Sequence, residues 1–373
     1  MAIHFQNLNI RHFRGIHHLA VDHLNHINII AGDNNSGKTS VLEALMLLRS
    51  PNDITNILRL ALERDFTALA RRTSVFESFL NLFSRDTARM EISLEAIYKG
   101  EFVSYKLSGE QTKIMMDPDD IVKRLNTITR SRVMREIDPE MVEVDTFRGE
   151  LEYRFSGQGD RLPVTIDAFE TTSGREIKNY SLVNIVYLSP IDHVRGLVFN
   201  RIIRNESYKE ICLRVLQIFD SEIVDLLILT NEGSNRPVEY IKHTTLGNMP
   251  LSTYGDGIKK VLSLANGIVQ AADGVLLIDE IETAIHSKYY DDIFRFLVKA
   301  SKQFRVQVFI TTHSIEAIDG LLSTQDYEKQ EQIDDISVLT FKKDIKVKKT
   351  YSRVLDGRHV HKNREQFGFE VRL

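Results

Sequence analysis

The 373-residue chain has one cysteine, Cys212, which excludes a disulfide within the chain and a cluster of thiolate metal ligands. It sits in Ile211-Cys212-Leu213 and reads as a core residue. No apolar run approaches the roughly 18 residues that span a bilayer. Met1-Ala2-Ile3-His4-Phe5 lacks the charged start and apolar core of a secretion signal, so a cytoplasmic protein without a membrane partner is expected. Strong positive charge is also missing: the net charge is −4 and the pI near 6.3, which leaves room only for a local basic patch to hold nucleic acid. No internal repeat or low-complexity stretch is apparent. With 42% hydrophobic residues a chain of this length can bury a large core, in about two to three domain-sized units.

What is present is Gly32-Asp33-Asn34-Asn35-Ser36-Gly37-Lys38-Thr39, between the apolar run Ile27 to Ala31 and a helix-like segment Ser40 to Leu48. The order is strand, loop, helix. Gly32 and Gly37 allow a tight turn with its N–H groups aimed inward, and a helix beginning near Lys38 adds about +0.5 elementary charge at its N-terminus. That is a cradle for phosphate, formed by Gly32, Asn34, Asn35, Ser36, Gly37, Lys38, Thr39 and Ser40. In this pattern Lys38 reaches the terminal phosphates and the Thr39 hydroxyl ligates Mg²⁺. ATP and Mg²⁺ are the cofactors it implies.

Before the loop, Ile3/Phe5, Leu19/Val21 and Ile27/Ile29 alternate as in a small sheet. His17, His18, His23 and His26 scatter over both faces of that pattern and read as polar surface. After it, Ile54, Ile57, Leu58 and Ala61, and then Phe76, Phe79, Leu80 and Phe83, recur at helical spacing. From Met90 the period becomes two, with Ile92, Leu94 and Ala96 facing Val103, Tyr105 and Leu107 across Lys99-Gly100-Glu101, a hairpin. Residues 109–180 look irregular and polar, an inserted lobe between 1–108 and 181–373. Lys123, Arg124, Arg130, Arg132 and Arg135 form a basic cluster there on an expected helix. It could grip a phosphate backbone, but Glu136, Asp138 and Glu140 follow at once, and a solvated face is the favoured reading. Val183 to Leu188 returns as a buried strand and Tyr208 to Phe219 as a helix.

Four ordered segments follow residue 250. Leu251-Ser252-Thr253-Tyr254-Gly255-Asp256-Gly257 precedes a helix with Ile258, Val261, Leu262, Ala265, Ile268 and Val269 at a 3.6 period, and reads either as a second anion-binding helix start or as an N-cap before a flexible turn. Gly274-Val275-Leu276-Leu277-Ile278-Asp279-Glu280 is a buried parallel strand ending in two carboxylates. Asp279 can hold the Mg²⁺ shell and Glu280 can polarise the attacking water. Glu282 to His286 links this strand to a helix from Ser287 to Ala300, with Ser287 as its N-cap. Val306 to Ser314 is a further buried strand, ending in His313, which can donate to the terminal phosphate or orient the water. Phe341 to Thr350 alternates Ile345 and Val347 with Lys346 and Lys348, as in an edge strand guarded by lysines.

Together these residues resemble the ABC-type ATPases of the SMC and RecF group, and most closely the ATPase part of the OLD (overcoming lysogenization defect) family. The likeness spans roughly residues 1–50 and 183–320. It implies an α/β P-loop NTPase: an ABC-ATPase-like head, a mixed sheet flanked by helices, with an inserted α/β lobe. Walker A would be Gly32 to Thr39, the signature Ser252, Gly255 and Gly257, the Walker B pair Asp279 and Glu280, the D-loop Thr283 to His286, and the switch histidine His313. Leu8 to Gly15 resembles the group's N-terminal strand motif, which carries Arg14 to the nucleotide. Ile285-His286-Ser287 stands where many relatives have Leu-His-Pro, and no Q-loop glutamine is found. In this group the signature of one subunit completes the site of another, so a homodimer around two ATP molecules and slow isolated hydrolysis are expected. OLD nucleases continue into a Toprim domain, for which the stretch after His313 is short. The resemblance is thus to stand-alone ATPases that work beside a separate effector, often a Toprim-like nuclease, in antiphage defence. A RecF-like clamp that holds DNA in repair and uses ATP as a clasp is the alternative.

Overall fold

A computed structural model describes residues 3–33, 36–63, 74–84, 90–124, 141–169, 182–194, 200–230, 237–328, 334–344 and 349–371. Two strands open the chain, β1 (Phe5–Phe13) and β2 (Ile16–Val21), an antiparallel pair whose apolar residues alternate inward as the period-2 pattern predicts. The turn between them places Arg14 at φ 51°. The third strand, β3 (Ile27–Gly32), is buried along its whole length and leads into α1 (Lys38–Leu47). Next come α2 (Ile54–Glu63), α3 (Val75–Leu80), β4 (Met90–Tyr98) and β5 (Glu101–Met116). Ser74 and Glu77 close a reciprocal capping box on α3. Lys99 and Gly100, both at positive φ, make the tight hairpin turn that matches strand twist. The two facing sets of the expected hairpin are paired, Ile92 with Leu107, Leu94 with Tyr105, and Ala96 with Val103.

The irregular reading of the chain beyond residue 108 is corrected. The strand β5 runs through to Met116, α4 (Pro118–Arg124) follows, and β6 (Val142–Phe155) and β7 (Gln158–Asp167) continue the antiparallel ladder. The first sheet is therefore six-stranded, in the order β2-β1-β4-β5-β6-β7. Its outer face is polar, so its strands alternate between buried and exposed positions. Arg130, Arg132 and Arg135, with the side chains of Lys123 and Arg124, lie outside the described residues.

The second half begins with β8 (Ile185–Leu188), then α5 (Asn200–Ile203) and α6 (Glu206–Leu216). Cys212 is buried on α6 as expected. A three-stranded antiparallel sheet follows, from β9 (Ile223–Thr230), β10 (Pro237–His243) and β11 (Gly247–Pro250). The remaining elements are α7 (Asp256–Gln270), β12 (Val275–Ile278), α8 (Tyr290–Gln303), β13 (Gln307–Thr312), α9 (Ile315–Leu322), β14 (Ile336–Asp344), β15 (Lys349–Asp356) and α10 (Gly357–Phe367). The α8 helix starts later than its expected Ser287 cap: His286 caps a short 3₁₀ turn, Ser287–Tyr289, ahead of it. Phe341 and Thr350 lie on two different strands, β14 and β15, which pair antiparallel, so the single edge strand expected there is not formed; Ile345 to Lys348 lie outside the described residues.

The central sheet has the order β15-β14-β3-β13-β12-β8, with β14, β3, β13, β12 and β8 mutually parallel. Side chains leave its two faces alternately. Ile27, Ile29, Leu276, Ile278, Val308 and Ile310 enter one core with α6 to α9. Ile30, Val275, Leu277, Phe309 and Leu339 enter the other, with α1, α2 and the antiparallel sheet. Strands covered on both faces need apolar residues throughout, which is why they read as continuous runs. Gln307, wholly buried on β13, ties the halves together. Its Oε1 accepts from the backbone N–H groups of His4 and Phe5, and its Nε2 donates to the carbonyls of Phe5 and Asn25. His26, expected on the surface, is fully buried against Ser301 of α8.

Candidate nucleotide site

The loop between β3 and α1 emerges at the carboxyl ends of the parallel strands, where ligands of open α/β sheets bind. Gly32 has φ 151°, and a side-chain carbon there would lie 2.8 Å from the Phe341 carbonyl oxygen. Gly37, at φ 100°, immediately precedes α1. Both positions require glycine. Lys38 Nζ folds back on the loop and donates to the carbonyls of Gly32 (2.7 Å) and Asp33 (2.8 Å). Burial lowers its pKa, against the opposing pull of Asp279, Glu280, Glu282 and Asp33. Ser36 Oγ is buried without a hydrogen-bond partner, and an orphaned hydroxyl inside a phosphate loop fits an anionic ligand. Ser40 is buried on the first turn of α1. Asn34 and Asn35 lie outside the described residues.

The next strands deliver the acids. Asp279 follows β12 and is 5% exposed. Its carboxylate accepts from Thr39 Oγ1 at 3.1 Å, from Thr311 Oγ1 on β13, and from the Tyr187 hydroxyl on β8 at 3.2 Å. Thr39 and Asp279, the two expected Mg²⁺ ligands, are thus side by side, and an all-oxygen pair suits that ion. Glu280 takes a left-handed backbone, φ 48°, which turns its carboxylate out to solvent beside the buried acid. Its N–H donates to Thr311 Oγ1, and its Oε2 accepts from Thr283 at 3.4 Å. A non-glycine residue in this region stores strain of order 1–3 kcal/mol. Ala284 in the following turn is also left-handed, φ 67°.

His313 follows β13 and is held by Glu282, whose Oε1 accepts from both its backbone N–H and its Nδ1, each at 2.8 Å. The guanidinium of Arg14 is 2.7 Å from Glu43 of α1, the helix that follows the phosphate loop, both side chains nearly buried. Ser252 and Gly255 are exposed at the start of α7, and Gly255 occupies its N-cap with no side-chain cap bond. Gly257 packs beside Ala284. No hydrogen bond among the described residues joins Ser252, Gly255 or Gly257 to the phosphate loop of the same chain.

Residues 1–142 match the family described as "AAA ATPase domain", and residues 142–319 the family described as "AAA domain, putative AbiEii toxin, Type IV TA system". An SMC head solved with the C-winged helix domain of ScpA superposes with a TM-score of 0.52, at 12% identity, over 96% of this chain and all of that one. The chain carries an ABC/SMC-like ATPase fold. A Helicobacter pylori protein named "ATP/GTP phosphatase" is 24% identical to this chain over 360 residues, 88% of this chain and 91% of that protein. The Idiomarina loihiensis protein named "DNA replication and repair protein RecF" is 54% identical over 43 residues, 12% of each chain.

Sequence reasoning missed several residues of this candidate site. Tyr187 looked like one apolar position of a buried strand, yet its hydroxyl holds Asp279, and burial together with Asp279 raises its pKa. Thr311 read as one position of a buried strand and Glu282 as part of a linker, but they orient Asp279 and His313. The one signal available was polarity at strand ends facing the loop.

Proposed function

We propose that this protein binds ATP with Mg²⁺ and hydrolyses it slowly, and that two copies close head to tail around two nucleotides to control a separate effector. The observation that carries the reading is the meeting of Thr39 with Asp279 beside a glycine loop that holds Lys38 Nζ on its carbonyls and a buried, unpartnered Ser36 hydroxyl.

Lys38 would leave its two carbonyls for the β- and γ-phosphates, an exchange of neutral acceptors for charged ones. Thr39 and Asp279 would hold Mg²⁺, which supplies positive charge to the phosphate oxygens. Glu280, adjacent to Asp279 yet in solvent, would take the proton of the attacking water, a role that typically contributes about 10²- to 10⁴-fold. His313, fixed by Glu282, would donate to the terminal phosphate. The exposed start of α7 would offer its first N–H groups to an anion, and the use of Ser252, Gly255 and Gly257 across a dimer accords with the absence, among the described residues, of a hydrogen bond from them to the loop of their own chain.

A relative named for phosphatase activity on ATP and GTP supports nucleotide hydrolysis. The effector as a Toprim-like nuclease, and antiphage defence as the setting, rest on the OLD resemblance. A DNA clamp is the second reading, favoured by the short RecF match; salt-sensitive DNA binding lost on neutralising Arg130, Arg132 and Arg135 would support it. Phosphate release by wild type and Glu280→Gln tests the main reading: activity in the first and its loss in the second are expected, and equal rates would remove Glu280 from the mechanism.

A further inference from the structure

One charged group near the site has no role in the scheme above. Lys260, on the second turn of α7, is 2% exposed, and its Nζ has no hydrogen-bond partner. An ammonium buried without a hydrogen bond is costly. Replacing buried charges by well-packed apolar residues is often neutral or stabilising, so the lysine brings no evident benefit to folding. The groups acting on it are Asp192 from the turn after β8, and Glu282, Asp279 and Glu280 from the end of β12. His193, beside Asp192, faces the same charge and has a buried Nδ1 without a partner.

A second orphan complements the first. Glu282 Oε2 is buried and also lacks a hydrogen-bond partner, while its Oε1 carries both contacts to His313. A buried cation and a buried carboxylate oxygen thus stand without hydrogen bonds on two elements that pack together where Gly257 of α7 meets Ala284, two residues after Glu282, and that lead to opposite ends of the proposed mechanism. The α7 helix begins at Gly255, about 7–8 Å of helix rise before Lys260. Glu282 leads to His313.

We propose that Lys260 is a positioning residue for hydrolysis: it engages Glu282 when the start of α7 is occupied, and so sets the orientation of His313. This rests on the function proposed above. In that scheme a nucleotide held by the partner at the Gly255-Asp256-Gly257 turn moves α7. Lys260 then closes on Glu282 Oε2, and the charge of the pair fixes the carboxylate that carries His313. Sensing the partner's nucleotide and arming the chain's own site become one event.

The test uses the full chain with Lys260→Met, which keeps length without charge, Lys260→Arg, which keeps charge, and Glu282→Gln. Melting temperature, affinity for a fluorescent ATP analogue, and steady-state phosphate release are measured for each. The expected result for Lys260→Met is a kcat at least about tenfold lower with KM within about twofold. Lys260→Arg should recover kcat to within about threefold. The Lys260→Met/Glu282→Gln double variant should lose no more than the worse single one. Unchanged kcat in Lys260→Met, or losses that multiply in the double variant, overturn the proposal. If Lys260→Met does not fold, the double variant, which removes both buried charges, decides alone: activity equal to wild type overturns the coupling, and activity matching Glu282→Gln supports it. Wild-type protein that releases no phosphate defeats the proposed function and this inference with it, whereas wild-type release that Lys260→Met leaves unchanged defeats this inference only.

Discussion

The hydroxyl of Thr39 lies 3.1 Å from Oδ1 of Asp279. One residue lies in the first turn of α1 and the other follows β12, and the contact exists because β3, β13 and β12 run parallel and end together. Everything proposed for hydrolysis depends on that shared edge: the glycine loop above β3, the acids after β12 and His313 after β13.

Asp279→Asn keeps the shape of the side chain but removes a charge that receives Thr39, Thr311 and Tyr187. Phosphate release should fall by at least about 100-fold across a Mg²⁺ titration. Wild-type activity of the variant at every Mg²⁺ concentration would show Asp279 to be dispensable to the mechanism.

Gly32→Ala would place a carbon 2.8 Å from the Phe341 carbonyl oxygen at φ 151°, so neither a rotamer change nor a small shift relieves it. Denaturant unfolding should show a loss of about 2–4 kcal/mol. Gly100→Ala, at φ 85° with nothing within 4 Å, should cost only about 1–2 kcal/mol. Equal losses would mean that the close approach to Phe341 carries no weight.

Arg14 and Glu43 form a nearly buried ion pair, so removing either partner strands a charge. Arg14→Met or Glu43→Gln should each lower stability by about 3–5 kcal/mol, with the double variant less affected than the sum. The affinity for ATP, measured on the folded fraction, should change little; a large loss specific to Arg14→Met would return this arginine to the nucleotide.

Much of this arrangement could be read in the sequence, and for physical reasons. The phosphate loop needs its glycines and lysine at fixed spacing, doubly covered strands need unbroken apolar runs, and the hairpin at Lys99-Gly100 needs alternation on both sides. The β6 and β7 strands escaped because one face of their sheet is polar, so buried Val144, Phe147 and Leu151 are diluted among exposed residues such as Glu143, Asp145 and Arg148. Tyr187, Thr311 and Glu282 escaped for another reason: their roles come from strands and turns brought together only by the fold. Likewise His26 is polar in the sequence but precedes β3, where α8 covers it.

Lys260 gives a pH signature of its own. Burial, offset in part by Asp192, Glu282, Asp279 and Glu280, lowers its pKa to about 8 from 10.5. Between those values the unfolded chain holds the proton that the folded protein has released, so stability rises with pH across that window. Relative to wild type, Lys260→Met should lack this rise, a difference of up to about 3 kcal/mol between pH 8 and 10.5, checked by urea unfolding at several pH values. Parallel profiles for the two proteins would contradict it.

The most direct measurement on the central claim is the solution mass of Glu280→Gln by light scattering, with and without Mg²⁺-ATP. Two chains closing around two nucleotides predict a mass that doubles with Mg²⁺-ATP and returns to that of one chain when the nucleotide is removed. A mass that Mg²⁺-ATP leaves unchanged, with the nucleotide bound, would contradict the closed dimer and the role across it of Ser252, Gly255 and Gly257.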